Sequence, residues 1–133
     1  MAVALFEVAE HSNVPNIWSV PPLSRNKTLQ NRESLEKSHT DFALDPDLYQ
    51  ITVEDAVATG KPTVVVFASP ALLTSPTCGH QTATLSEFKA EHAGEANFIH
   101  VEIYDNPDEI HGDLNKATLS QPVQDWGISD LPD

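Results

Sequence analysis

The sequence predicts an α/β fold built on parallel strands. Three observations carry that reading. "PTVVVFAS" (62–69) is an unbroken, largely β-branched run, as expected of a strand buried on both faces. "ANFIHVEIY" (96–104) is a second apolar run, with Ile99, Val101 and Ile103 on one face. Between them, "CGHQTATLSEFKAEHAG" (78–94) places Gln81, Leu85, Phe88 and His92 on one helical face, and Gly94 suits its end. A crossover that contains a helix joins parallel strands.

The other elements follow in chain order. "MAVALFEVAE" (1–10) alternates through Val3, Leu5 and Val8 and reads as a strand, expected to be the last of a preceding β-domain. Residues 11–47 are rich in Pro, Ser and Asn, lack periodicity and read as a mostly irregular linker, with one helical turn at "RESLEKS". Asn26-Lys27-Thr28 has the form of a glycosylation triplet, a pattern common by chance. "LYQI" (48–51) is a short strand candidate. "TVEDAVATG" (52–60) is a short helix capped by Thr52 with Asp55 three residues on, turning Val53 and Val57 inward and stopping at Gly60. "DNPDEIHGDLNKATL" (105–119) is a loop or ragged insertion. "SQPVQDWG" (120–127) is a last helix, capped by Ser120, with Val123 and Trp126 inward. The order over residues 48–133 is β-α-β-α-β-α.

Composition narrows the function. The 133 residues carry 7 Lys and Arg against 20 Asp and Glu, a formal charge of −13. Such an excess repels phosphate and anionic lipid, so we expect neither nucleic acid nor a membrane as a partner. It also favours solubility. There is no apolar run long enough to span a bilayer, and the N-terminus lacks the basic region of a signal peptide. One cysteine forbids an intrachain disulfide.

That cysteine, Cys78, stands beside Gly79 at the start of a helix that follows a buried strand, and "WGISDLP" (126–132) comes about fifty residues later. This constellation resembles the thioredoxin fold. "GKPTVVVFAS", "TCG", "ANFIHVEIYDNP" and "WGI" are similar to a bacterial extracytoplasmic thioredoxin-like group. The resemblance covers about residues 49–133, and it implies an exported parent protein, although the compartment stays open on the residues themselves. It implies thiol-disulfide chemistry at Cys78, possible thiol tuning by His80, and a substrate groove at Thr77, Gly79, Leu131 and Pro132, with Pro132 cis. It implies no cofactor and no metal, and a protein or small-molecule thiol or disulfide as partner.

The chain departs from the family pattern at four places. His80 and Gln81 stand where Cys-Gly-Pro-Cys has Pro and the second Cys. Leu73 stands where a longer-loop group has its other Cys, and Val66 where thioredoxins bury an Asp. After Pro132 only Asp133 follows, so the fold is expected to be C-terminally incomplete, without the terminal hairpin and last helix, and the chain a fragment. The expected function is thus a thioredoxin-like domain reduced to a single thiol, inactive as a reductase. Two alternatives are a non-catalytic module that binds an extended peptide between "TSPTCGH" and "SDLPD", and a fragment without a function of its own. A metal at Cys78 and His80 would need ligands from His92, His100 or His111, whose convergence nothing in the sequence fixes.

Overall fold

A computed structural model describes residues 8, 10–31, 45–70 and 78–128, with backbone only at Asn31, Cys78 and Gly79. The described chain is a mixed α/β fold on a small open sheet of two parallel strands, β1 (Thr63–Ala68) and β2 (Asn97–Glu102). Their register pairs Thr63 with Asn97 and Ala68 with Glu102. Four helices accompany them: α1 (Val53–Ala58), α2 (Cys78–Glu91), α3 (Pro107–Ile110) and α4 (Gln121–Asp125).

The sheet is covered on both faces. On one face, Val53 and Ala56 of α1 pack on Ile99 and Val101, and Phe67 and Trp126 close over them. Beside them, Val123 of α4 packs with Ile103, Tyr104 and Ile110. On the other face, Leu85 of α2 meets Phe98, Leu48 and Tyr49. β2 is therefore buried on both sides, and its Ile99 and Val101, with Ile103 just beyond it, face inward as their alternation requires.

Helix α1 starts as its sequence dictates. Thr52 Oγ1 accepts the Asp55 N–H at 3.1 Å and donates to the Asp55 carboxylate at 3.0 Å, a reciprocal cap with Asp in place of Glu. Gly60, at φ 72°, ends it. Val57 is exposed, however, and Ala56 meets the sheet instead. A helix of six residues offers little more than one turn of contact, and the smaller side chain is the one set against Ile99 and Val101.

Three expectations are corrected. "LYQI" is not a strand: Pro46–Tyr49 is a 3₁₀ turn, started by Pro46 and by Asp45 accepting the Asp47 N–H. It buries Leu48 and Tyr49 against α2. β1 is only half-buried, because among the described residues it has a neighbour on one edge alone. Residues 105–119 form an ordered excursion that leaves and returns through an antiparallel bridge between Tyr104 and Leu119. Ile110 is fully buried, and Asn106 holds the excursion together through bonds to Glu109, the Lys116 carbonyl and the Thr118 N–H. The N-terminal strand and "RESLEKS" lie outside the described residues, save for Val8 and Glu10, neither of which is in a strand.

The described part of residues 11–47 is irregular, yet it is fastened to the body. Ser24 Oγ donates to Asp125, Arg25 pairs with Glu54 at 2.6 Å and Lys27 with Asp105 at 2.7 Å. Asn26 is buried, and its Oδ1 accepts the Val53 N–H, so its amide is not presented to solvent as a glycan acceptor would be. Lys89 of α2 reaches Asp45 at 2.8 Å and Asp47 at 2.9 Å. Burial pushes the Asp45 carboxyl up, but bonds from Lys89, Ser86 and the Asp47 N–H outweigh it and hold it below the usual carboxylate range. Burial likewise pulls Lys89 down, and the two carboxylates outweigh it.

A depressed Asp pKa contributes stability above its unfolded value of about 3.9, lost as pH falls through the lower folded value. Asp45→Asn should therefore cost on the order of 0.5–1 kcal/mol at pH 7, after discounting for partial exposure. The difference from the parent should shrink steadily below about pH 4. Urea unfolding at pH 7 and pH 3 checks this, and an equal difference at both would show that the ion pair is not the cause.

Candidate functional site

Cys78 is the first residue of α2, which carries the chain from the C-terminal end of β1 back to the start of β2. α2 has 14 residues, and no acidic side chain in its first turn opposes a negative charge there. Unsatisfied N–H groups and the positive end of the helix dipole favour an anion at such a position. His80 follows in the same turn and is exposed. The Cys78 side chain is outside those described. Thr77, Leu131 and Pro132, with the cis bond and the groove they were to line, also lie outside the described residues.

Of the second motif, Trp126, Gly127 and Ile128 are described. Trp126 packs on Phe67, with ring centroids 5.5 Å apart and planes at 60°. Its indole Nε1 is buried and has no hydrogen-bond partner among the described residues. Gly127 has φ 63°, and the backbone of Asn13 passes so close that a Cβ would overlap the Asn13 carbonyl oxygen. The N-terminal segment thus crosses directly over the end of α4.

His100, named in the sequence only as a candidate metal ligand, pins the end of β1 instead. His100 is 1% exposed. Its Nε2 lies 3.0 Å from the Ala68 carbonyl oxygen and its Nδ1 2.5 Å from the Tyr49 hydroxyl. A carbonyl can only accept, so Nε2 carries the proton, and Nδ1 accepts from Tyr49 O–H. Ser69 Oγ donates to the Glu102 carboxylate one residue further along. Side chains of β2 therefore fix both residues at which the chain leaves the sheet towards Cys78. The signal was a lone His inside the apolar run "NFIHVEIY".

Two hollows flank the sheet. One, of about 180 Å³, lies beside β2, between Tyr49, His100 and Tyr104 on one side and the Arg25–Lys27 segment on the other. Burial, then the Glu102 charge, raises the Tyr104 pKa, so its phenol stays protonated. The other is an open groove of about 600 Å³ along β1, walled by Val64, Val66 and Phe67 and by Leu85 and Phe88 of α2, with His80 at one end. Among the described residues no three of His, Cys, Asp and Glu come together as metal ligands, and no helix is long and apolar enough to cross a membrane. Compared with protein-family models, curated proteins and solved structures, the chain matches none.

Proposed function

We propose that the chain is a thioredoxin-like module of the thiol-disulfide class, reduced to one thiol. The observation that carries this reading is the position of Cys78 as the first residue of the helix that connects two parallel strands. The layering supports it, with α2 on one face and α1 and α4 on the other. So does the left-handed Gly127 in the Trp-Gly-Ile stretch.

The chemistry is limited by the single thiol. The Cys78 thiolate attacks one sulfur of a partner disulfide, whether protein or small molecule. A new S–S bond forms, the old one breaks, and the other sulfur leaves as thiolate. No second thiol of the chain can resolve this mixed disulfide, so an external thiol must. The chain would capture or carry a thiol and would not turn over as a dithiol reductase.

The test is the pH dependence of Cys78 alkylation by iodoacetamide. A midpoint near 7 would leave about half the thiol ionised at pH 7, against about 3% for an ordinary thiol of pKa ~8.5. We expect alkylation at pH 7 to be on the order of fivefold faster than that of a free cysteine peptide, because a more acidic thiolate is also a weaker nucleophile. A midpoint of 8.5 or above would sink the redox reading. Insulin reduction with dithiothreitol should show no acceleration. Gln81→Cys and Leu73→Cys each restore a second thiol, and the one that closes a reversible disulfide with Cys78 identifies the matching loop type.

A further inference from the structure

Helix α1 is capped from another part of the chain. Its N–H groups at Val53, Glu54 and Asp55 precede the first bond of the helical ladder, from the Ala56 N–H to the Thr52 carbonyl. Thr52 Oγ1 takes only the Asp55 N–H. The Val53 N–H donates to Asn26 Oδ1 at 2.8 Å, and the Glu54 N–H to the Ser24 carbonyl at 3.2 Å. Asn26 Nδ2 also donates to the Ile51 carbonyl at 3.4 Å. One short strap, residues 22–28, thus meets the backbone on both sides of the Thr52 cap. The helix has few means of its own. Its six residues are far below the ~12–15 at which an isolated helix becomes even marginal in water. Only Val53 and Ala56 of α1 are buried.

The strap is held differently from a core element. Its buried side chains are polar, Ser24, Asn26 and Thr28, while Leu23 is exposed. Ser24 Oγ donates to Asp125, and the pairs Arg25–Glu54 and Lys27–Asp105 are partly exposed to solvent. Such links each contribute little, and an element with few buried apolar contacts opens at low free energy. Leu29, the next residue, packs beside Leu48, Tyr49, Leu85 and Phe98, so a hinge there leaves that core in place. We infer that residues 22–28 are a removable cap: the strap and α1 open as one unit while β1, β2 and α2 stay folded. Opening uncovers the side of Ile99 and Val101 on which Val53 and Ala56 lie, and takes away one wall of the hollow beside β2. Access to this side of the sheet is set by Asn26, 27 residues before Val53 in the chain. This device stands apart from the thiol chemistry, because it uses neither Cys78 nor the residues around Pro132.

Native-state hydrogen exchange on the full chain tests this. The Ala56 and Thr59 amides bond within α1 and its caps and not to the strap. They should nevertheless show the same protection as the Val53 and Glu54 amides. That protection should be about tenfold or more below that of Asn97 and Ile103, which bond across to Pro62 and Ala68. A variant combining Arg25→Gln, Asn26→Ala and Lys27→Gln weakens the strap and leaves every residue of α1 and the sheet as it is. Its NMR spectrum should show α1 losing helical carbon shifts together with the native shifts of residues 22–28, while β1, β2 and α2 keep theirs. A helix that keeps its shifts once the strap is released would overturn the proposal. Unchanged strap signals in the variant would overturn it too. So would one protection value shared by strap, α1 and sheet, which would make them a single cooperative unit. The exchange pattern of the unaltered chain decides the question even where the variant fails to fold.

Discussion

Replacing Gly127 by alanine is expected to destabilise the protein by about 2–5 kcal/mol, the largest cost of any single added methyl group. Two effects add. At φ 63° an L side chain costs roughly 1–2 kcal/mol in backbone energy. The new Cβ also meets the Asn13 carbonyl group, whose carbon would stand at 2.9 Å. Neither partner is the end of a flexible side chain, so the backbone at 11–14 or the end of α4 must move, at about 1–3 kcal/mol. Gly60→Ala is the control. Its φ of 72° imposes the same backbone strain, but a Cβ there meets nothing within 4 Å. It should cost only the strain, about 1–2 kcal/mol. Urea unfolding of the two variants separates clash from strain. Equal losses would show that the N-terminal segment does not press on Gly127.

The second large effect belongs to His100. Replacement by Phe keeps much of the ring volume and removes the donor to the Ala68 carbonyl and the acceptor for Tyr49 O–H. A buried polar group that loses its partner costs roughly 1–3 kcal/mol, so His100→Phe should cost about 2–4 kcal/mol in all. Tyr49→Phe removes one donor and should cost about 1–2 kcal/mol. The double variant should cost less than the two together, since both singles break the same bond. A strictly additive result would mean that the hydroxyl and the imidazole do not depend on each other. Because His100 also holds the last residue of β1, its loss should loosen the segment leading to Cys78. Hydrogen exchange at the Ala68 and Ser69 amides would rise before global unfolding.

The sequence was most legible where periodicity and local chemistry agree. The two strands, the reach of α2, the Thr52 cap and the stop at Gly60 all stood in short, self-contained patterns. Long-range polar contacts were not legible. Lys89 is drawn inward by Asp45 and Asp47, residues more than forty positions away. On α2 Thr82 and Leu85 are buried, while Gln81 and Phe88 of the anticipated face border the open groove. "LYQI" misled for a related reason. Its apolar residues suit a strand, but Asp45 and Pro46 just before it start a turn, and tertiary packing of Leu48 and Tyr49 decides the outcome. Of the candidate site, only the placement of Cys78 and His80 on the first turn of α2 could be read ahead and then compared. The His100 pair could not, because nothing in a single strand says that Tyr49 will lie opposite.

The crossing of Asn13 over Gly127 and the Ser24–Asp125 bond join parts of the chain more than a hundred residues apart. Such contacts set an order of events. Closing so long a loop costs chain entropy that the local β-α-β unit does not, so β1, α2 and β2 can assemble first. The segment at 11–31 then docks, once α4 exists to receive it. During synthesis this docking has to wait until residue 127 has left the ribosome, and until then the surface it covers, including the Val53 N–H held by Asn26, stays open to water. Refolding should accordingly show a slow phase that reports on the N-terminal segment and not on the sheet.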